Sequence, residues 1–125
     1  MAEQLANLQK NGLDEYSTTE KIVGTWIDGT PVYRCVWDIP AISPNSIGVV
    51  ATIANIRPIK YFGYIATPDN PPNIITLPYS GRGVYNNILT DAVFAYYSGG
   101  KINVATGSYR TVASGKLVVD YIKTS

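Results

Sequence analysis

From Tyr16 onward glycines and prolines break the chain into short pieces rich in Val, Ile, Thr and Tyr. This punctuation limits the fold more than any other feature. Runs of roughly five to eight residues are too short for a packed helix but have the usual length of a strand. Tyr and the β-branched residues suit a pleated surface, and Gly and Pro suit turns. The sharpest case is residues 22–27, then Asp28-Gly29, then residues 32–37. An Asp-Gly between two β-type runs predicts a hairpin, with Pro31 opening the return strand where a missing N–H is tolerated. Ser17-Thr18-Thr19-Glu20 matches a helix capping box, but the β-type run that follows argues against a helix.

The same reading assigns the rest. Residues 47–54 read as a buried strand. In residues 59–66, Ile59, Tyr61, Gly63 and Ile65 fall on one face and Lys60, Phe62, Tyr64 and Ala66 on the other. Three prolines in residues 67–73 exclude regular structure. Residues 74–79 form a short strand, 80–83 a turn, 92–97 and 102–106 a hairpin about Gly99-Gly100, and 117–122 the last strand. No βαβ alternation or fixed-period repeat is present. The expected fold is therefore all-β, an antiparallel sandwich or jelly-roll-like body of about eight strands.

Residues 1–15 stand apart from the domain formed by residues 16–125. Residues 2–10 are good helix formers, Leu5 and Leu8 share a helical face, and Asn11-Gly12 is a stop. So short a helix is unstable alone. The segment reads as a docking peptide and linker, helical or extended, with Leu5, Ala6 and Leu8 as its apolar contacts.

Composition excludes much chemistry. The chain has no histidine, which removes the usual general base and the commonest metal ligand. Its one cysteine, Cys35, permits no intrachain disulfide and reads as a small buried hydrophobe. Ten Lys and Arg against nine Asp and Glu leave a net charge of +1, so a basic footprint for nucleic acid is missing. No apolar run approaches the ~20 residues of a membrane span, and no signal-peptide pattern opens the chain. Gly81-Arg82-Gly83-Val84-Tyr85-Asn86 begins like a dinucleotide loop, but Asn replaces the third glycine and no helix pattern follows. Asp28 is committed to the hairpin turn and Asp69 to the Pro-rich loop. Asp38, Asp91 and Asp120 are not paired by spacing, and Asp120 is expected to face solvent or to meet an Arg or Lys across the sheet. The expectation is a protein that is not an enzyme, with no catalytic residue, cofactor or metal site. Tyr79, Tyr85 and Tyr109 stand beside Pro, Ser or Asn in turn-like stretches. They are expected to be exposed, as stacking platforms for a sugar ring or a partner protein.

Two segments carry a family resemblance. Residues 16–34, Tyr-Ser-Thr-Thr-Glu-Lys-Ile-Val-Gly-Thr-Trp-Ile-Asp-Gly-Thr-Pro-Val-Tyr-Arg, resemble a segment recurring in bacteriophage tail-fibre, tail-spike and minor structural proteins. Its core is Trp26, Asp28 and Gly29. Thr30 stands where Lys is usual and Cys35 where a polar residue is usual. In those proteins the segment opens a C-terminal β-domain ending in a Tyr-X-Lys-Thr tail. Residues 101–107 and Tyr121-Ile122-Lys123-Thr124 are similar to that ending. The first ten residues resemble the N-terminal peptide of small phage structural proteins. The resemblance implies a short head or tail fibre or decoration protein on the virion surface, made in the host cytoplasm. It would be a homotrimer, anchored to capsid or tail proteins through its N-terminus, and would project a β-domain toward bacterial surface polysaccharide. The alternative is a free carbohydrate-binding module of cellular origin.

Overall fold

A computed structural model describes residues 16–80, 84–85, 88–89, 92–108 and 110–124. In chain order the strands are β1 (Lys21–Thr25), β2 (Pro31–Ile39), β3 (Ile47–Thr52), β4 (Ile56–Ala66), β5 (Ile74–Leu77), β6 (Tyr79–Ser80), β7 (Val84–Tyr85), β8 (Ile88–Leu89), β9 (Ala92–Ser98), β10 (Lys101–Thr106) and β11 (Ser114–Lys123). A five-stranded antiparallel sheet has the order β1-β2-β11-β4-β5, and a four-stranded one the order β3-β10-β9-β6. One apolar cluster joins them: Cys35, Ile65, Leu117 and Val119 from the first sheet meet Val93, Ile102 and Val104 from the second. The described residues form an all-β sandwich, as the punctuation of the sequence predicts.

The strand count exceeds the expected eight for two reasons. The run 74–79 is two strands, because Pro78 cannot donate to a ladder. The chain changes sheets there, β5 pairing with β4 and β6 with β9. The short pair β7 and β8 was not foreseen. The predicted hairpin forms between β1 and β2, but its loop is longer than Asp-Gly alone. Trp26 N donates to Thr30 O at 2.7 Å, Asp28 Oδ1 accepts from Thr30 N at 2.9 Å, and Gly29 takes the left-handed φ of 86° that the turn requires. Among the described residues there is no helix at Ser17–Glu20, where Ser17 Oγ instead accepts from Thr19 N.

β11 lies at the centre of its sheet, between β2 and β4, so its residues from Leu117 to Ile122 are buried. Its core face carries Leu117, Val119 and Tyr121. Tyr121 stacks against Tyr33 and Trp37, with ring centroids 6.0 and 6.3 Å apart. Gly63 has a φ of 147°, and a Cβ there would lie 2.1 Å from the Lys116 carbonyl oxygen. Only glycine lets the two strands approach so closely at this point. On the opposite face, Asp120 sits across from Arg34 on β2 and Lys60 on β4.

Two expectations need correction. Residues 47–54 are not a buried strand: β3 is an edge strand with Ile47 61% and Val49 48% exposed. Tyr79 is half-buried, not exposed, and packs against the core cluster. Tyr85 lies on β7, but its side chain is outside the described residues, as are Leu5, Ala6, Leu8, Tyr109 and the turn at 81–83.

Candidate functional site

The described carboxylates are all engaged in holding the fold. Asp120 receives two hydrogen bonds from Arg34, Nε to Oδ1 at 2.6 Å and Nη2 to Oδ2 at 2.9 Å, with both side chains nearly buried. The Arg34 guanidinium also lies over the rings of Tyr16 and Phe62, at 5.0 and 5.3 Å. Asp120 therefore takes the cross-strand partner expected of it. Asp38 binds Lys116 on the sheet surface. Glu20 accepts from the Tyr121 hydroxyl and pairs with Lys123 at 2.7 Å. Burial would raise the Glu20 carboxyl, but Lys123 and Tyr121 outweigh it and hold the group below its ordinary range. Burial, with Glu20 in second place, pushes the Tyr121 hydroxyl up. Cys35 is buried, its Sγ 3.3 Å from Thr18 O, and burial raises its thiol. That setting withholds the thiolate a nucleophile needs. Among the described residues no three His, Cys, Asp or Glu converge as a metal site.

Two surfaces remain with chemistry to offer. The first is the outer face of the four-stranded sheet. β10 turns Ile102 and Val104 inward, so Asn103 and Ala105 point out, flanked by β9 and β3. The rows across this face are Ile47, Ala105 and Phe94, then Val49, Asn103 and Tyr96, then the polar row Thr52, Lys101 and Ser98. Phe94 is 41% exposed, and its ring centroid lies 6.3 Å from that of Tyr96. The strands of this sheet hold a single charged residue, Lys101. A sheet face meant for water alternates polar residues outward; the first two rows of this one present Ile, Val, Phe and Tyr on either side of β10.

The second surface is a small open pocket of about 140 Å³ lined by Thr67, Pro68, Asp69, Arg110 and Thr111. It joins the β4–β5 loop to the segment before β11, and β4 and β11 bring the two together. Ala113 N donates to Ala66 O at 2.9 Å, fixing their relative height. The loop is tied internally. The Thr67 hydroxyl donates to Asp69 Oδ2 at 2.7 Å and accepts from Asn73 N at 3.0 Å, while Asn73 Nδ2 reaches the same Oδ2 at 3.4 Å. Arg110 extends over the Tyr79 ring at 5.3 Å, with Nη2 3.5 Å from the Tyr79 hydroxyl.

Of the residues singled out from sequence, Tyr79 adjoins this pocket through Arg110. Trp26, Asp28 and Gly29 build a hairpin turn elsewhere, which leaves Ile27 at its tip 92% exposed. Asp69, Arg110 and Thr111 are not among those residues, and the sequence marks Asp69 only as part of the Pro-rich loop. Their convergence depends on the β4–β11 register, which no local motif encodes. The chain matches no protein-family model, no curated protein and no solved structure.

Proposed function

We propose that this chain is a bacteriophage virion structural protein, a short head or tail fibre or decoration protein. Its N-terminal segment grips other virion proteins, its β-domain assembles with copies of itself, and its exposed end adheres to bacterial surface glycan. The observation that carries this reading is the apolar part of the outer sheet face, formed by Ile47, Val49, Phe94 and Tyr96, with Lys101 at one end as the single charge on these strands. Large contiguous apolar patches mark contact surfaces on soluble proteins. A homotrimer of a low-charge domain would cover such a face, in keeping with the resemblance of residues 16–34. The carboxylates engaged in ion pairs and turns and the buried thiol favour a role in contact over one in catalysis.

Light scattering on the full chain tests this directly. A mass near three times 13.6 kDa is expected, and deletion of residues 1–12 should stop incorporation into particles while the β-domain stays folded. A truncated chain that still decorates particles would refute the anchor. The second reading, a free carbohydrate-binding module, is favoured by the polar pocket beside Tyr79. It requires a stable monomer that binds sugar.

A further inference from the structure

We propose that residues 16–20 form a strap over the part of β2 that β1 leaves uncovered, that Glu20 latches this strap, and that acid opens it and uncovers Cys35. The strap precedes β1 and continues its line along β2. Lys21 pairs with Arg34, and two positions further along β2 Val36 N donates to Ser17 O at 2.9 Å. At one end the Tyr16 ring meets Phe62 edge-on, centroids 6.1 Å apart, and lies under the Arg34 guanidinium at 5.0 Å. In the middle Cys35 Sγ donates to Thr18 O at 3.3 Å. At the other end Glu20 accepts from the Tyr121 hydroxyl and pairs with Lys123 at 2.7 Å. Residues 16–20 belong to no strand, and Tyr16, Thr18 and Thr19 are exposed. A segment outside the ladders, held by a few contacts at a sheet edge, opens at lower cost than the sheet itself.

The tie at Glu20 depends on an ionised carboxylate. β11 brings Lys123 and Tyr121 to it, and β2 brings Tyr33, which lies under Lys123 at 4.3 Å, and Cys35. Protonating Glu20 leaves Lys123 without its carboxylate and turns the charge-assisted bond from Tyr121 into a weaker neutral one. The Tyr16 end lacks this sensitivity, because a guanidinium keeps its charge in acid. Burial opposes ionisation of Glu20, but Lys123 and Tyr121 outweigh it, so the closed strap holds the carboxyl below its ordinary 4.5. An open strap returns the group to water. Closure is therefore favoured in full above 4.5 and weakens as pH falls through the closed-state value. Cys35 is buried with its Sγ against the strap, so opening strips away a group that lies on the thiol. Released, the five residues add up to about 17 Å to the link between residues 1–15 and the sandwich. Neither the latch nor its test rests on the virion reading.

The test follows the reaction of Cys35 in the full chain with dithiodipyridine, divided at each pH by the rate for N-acetylcysteine. This ratio should be flat from about pH 7 to about pH 5 and rise about fivefold or more between about pH 5 and about pH 3. Glu20→Gln should react at the fast level already at neutral pH and show no acid step. Lys123→Met, which leaves the carboxyl in place, should move the step up toward 4.5. Urea separates the strap from global unfolding. Opening five residues exposes little surface, so the rate in acid should change less than about twofold in ~1 M urea, whereas opening of the whole domain would change it about fivefold or more. A ratio that stays flat into acid, a step that does not move in Lys123→Met, or the larger urea dependence overturns the latch. So does an acid step that survives Glu20→Gln, which would assign the sensitivity to another carboxylate such as Asp120.

Discussion

Replacing Asp120 by Ala removes one half of the Arg34–Asp120 pair, whose side chains are 10% and 11% exposed. The guanidinium left behind loses both of its bonds to the carboxylate, at 2.6 and 2.9 Å. Tyr16 and Phe62 still flank it, and Lys60 stands across from the vacated position on β4. Breaking a buried pair from one side costs about 3–5 kcal/mol, because the remaining charge stays desolvated. The two rings keep some compensation, about 0.5–2 kcal/mol each, so the lower end, about 3 kcal/mol, is expected. For a domain of this length that corresponds to a fall in Tm of roughly 10–15 °C. The double variant Arg34→Met with Asp120→Leu removes both charges and keeps apolar bulk beside Val36 and Val118. It should melt within a few degrees of the wild type, since well-packed apolar replacements of buried pairs are often neutral or better. Urea and thermal unfolding of the wild type, the single and the double variant give the cycle. A single variant costing less than about 1 kcal/mol would refute the reasoning, and so would a double variant as weak as the single.

Three further outcomes follow from the same geometry. Phe94→Asp puts a charge on the exposed apolar face and should convert the proposed trimer to a monomer by light scattering, with the monomer still folded by circular dichroism. Gly63→Ala drives a Cβ to 2.1 Å from a backbone oxygen at a φ that side chains rarely adopt; it should cost at least ~2–3 kcal/mol in urea unfolding, whereas Gly24→Ala, with open space around it, should cost about 1 kcal/mol or less. Burial, with Tyr97 in second place, pushes the Tyr61 hydroxyl up to about 12 from its ordinary 10.0, and that of Tyr121 moves the same way. The folded state then holds these protons more tightly than the unfolded chain, so stability is intact below pH 10 and falls as pH rises from there toward 12, measurable as a declining urea midpoint. Glu20 has the opposite sign: its lowered pKa adds stability above its ordinary 4.5 that is lost as pH falls through the folded value.

The features legible in the sequence were those written in neighbouring residues. The hairpin at Asp28-Gly29 follows from a dipeptide whose glycine takes the left-handed φ, and the alternation in residues 59–66 puts Tyr61 and Ile65 on one face, which the structure turns toward the core. Residues 47–54 misled because an unbroken apolar run is the mark of a strand covered on both faces. β3 has such a run and lies at a sheet edge with its outer residues bare. The split of residues 74–79 had a local signal in Pro78, but a proline says only that a ladder ends, not that the chain moves to another sheet. The Arg34–Asp120 pair spans 86 positions, and the pocket joins loops some forty residues apart, so both depend on long-range strand register. Sequence reasoning could state that Asp120 would seek a cation across the sheet, but not which one.

The low charge of the chain, 15%, is not spread evenly over the sandwich. The five-stranded sheet carries Lys21, Arg34, Asp38, Arg57, Lys60, Lys116, Asp120 and Lys123 on its strands, and its outer face is crossed by the Asp38–Lys116 and Arg34–Asp120 pairs. The four-stranded sheet carries Lys101 alone. Core packing does not explain the difference, because Val93, Ile102 and Val104 already supply its inner face. The outward residues Phe94, Tyr96, Ile47 and Val49 lie on the side of the sheet away from the core, and exposed apolar area costs roughly 25 cal/mol per Å² until something covers it. The pocket beside the β4–β5 loop presents the opposite chemistry, with Asp69, Arg110 and two threonines in its lining. An apolar sheet face suits the flat, extensive contact of protein on protein. Under the proposed function the apolar face is the contact between copies, whereas a monomeric sugar-binding module would leave that face without a reason.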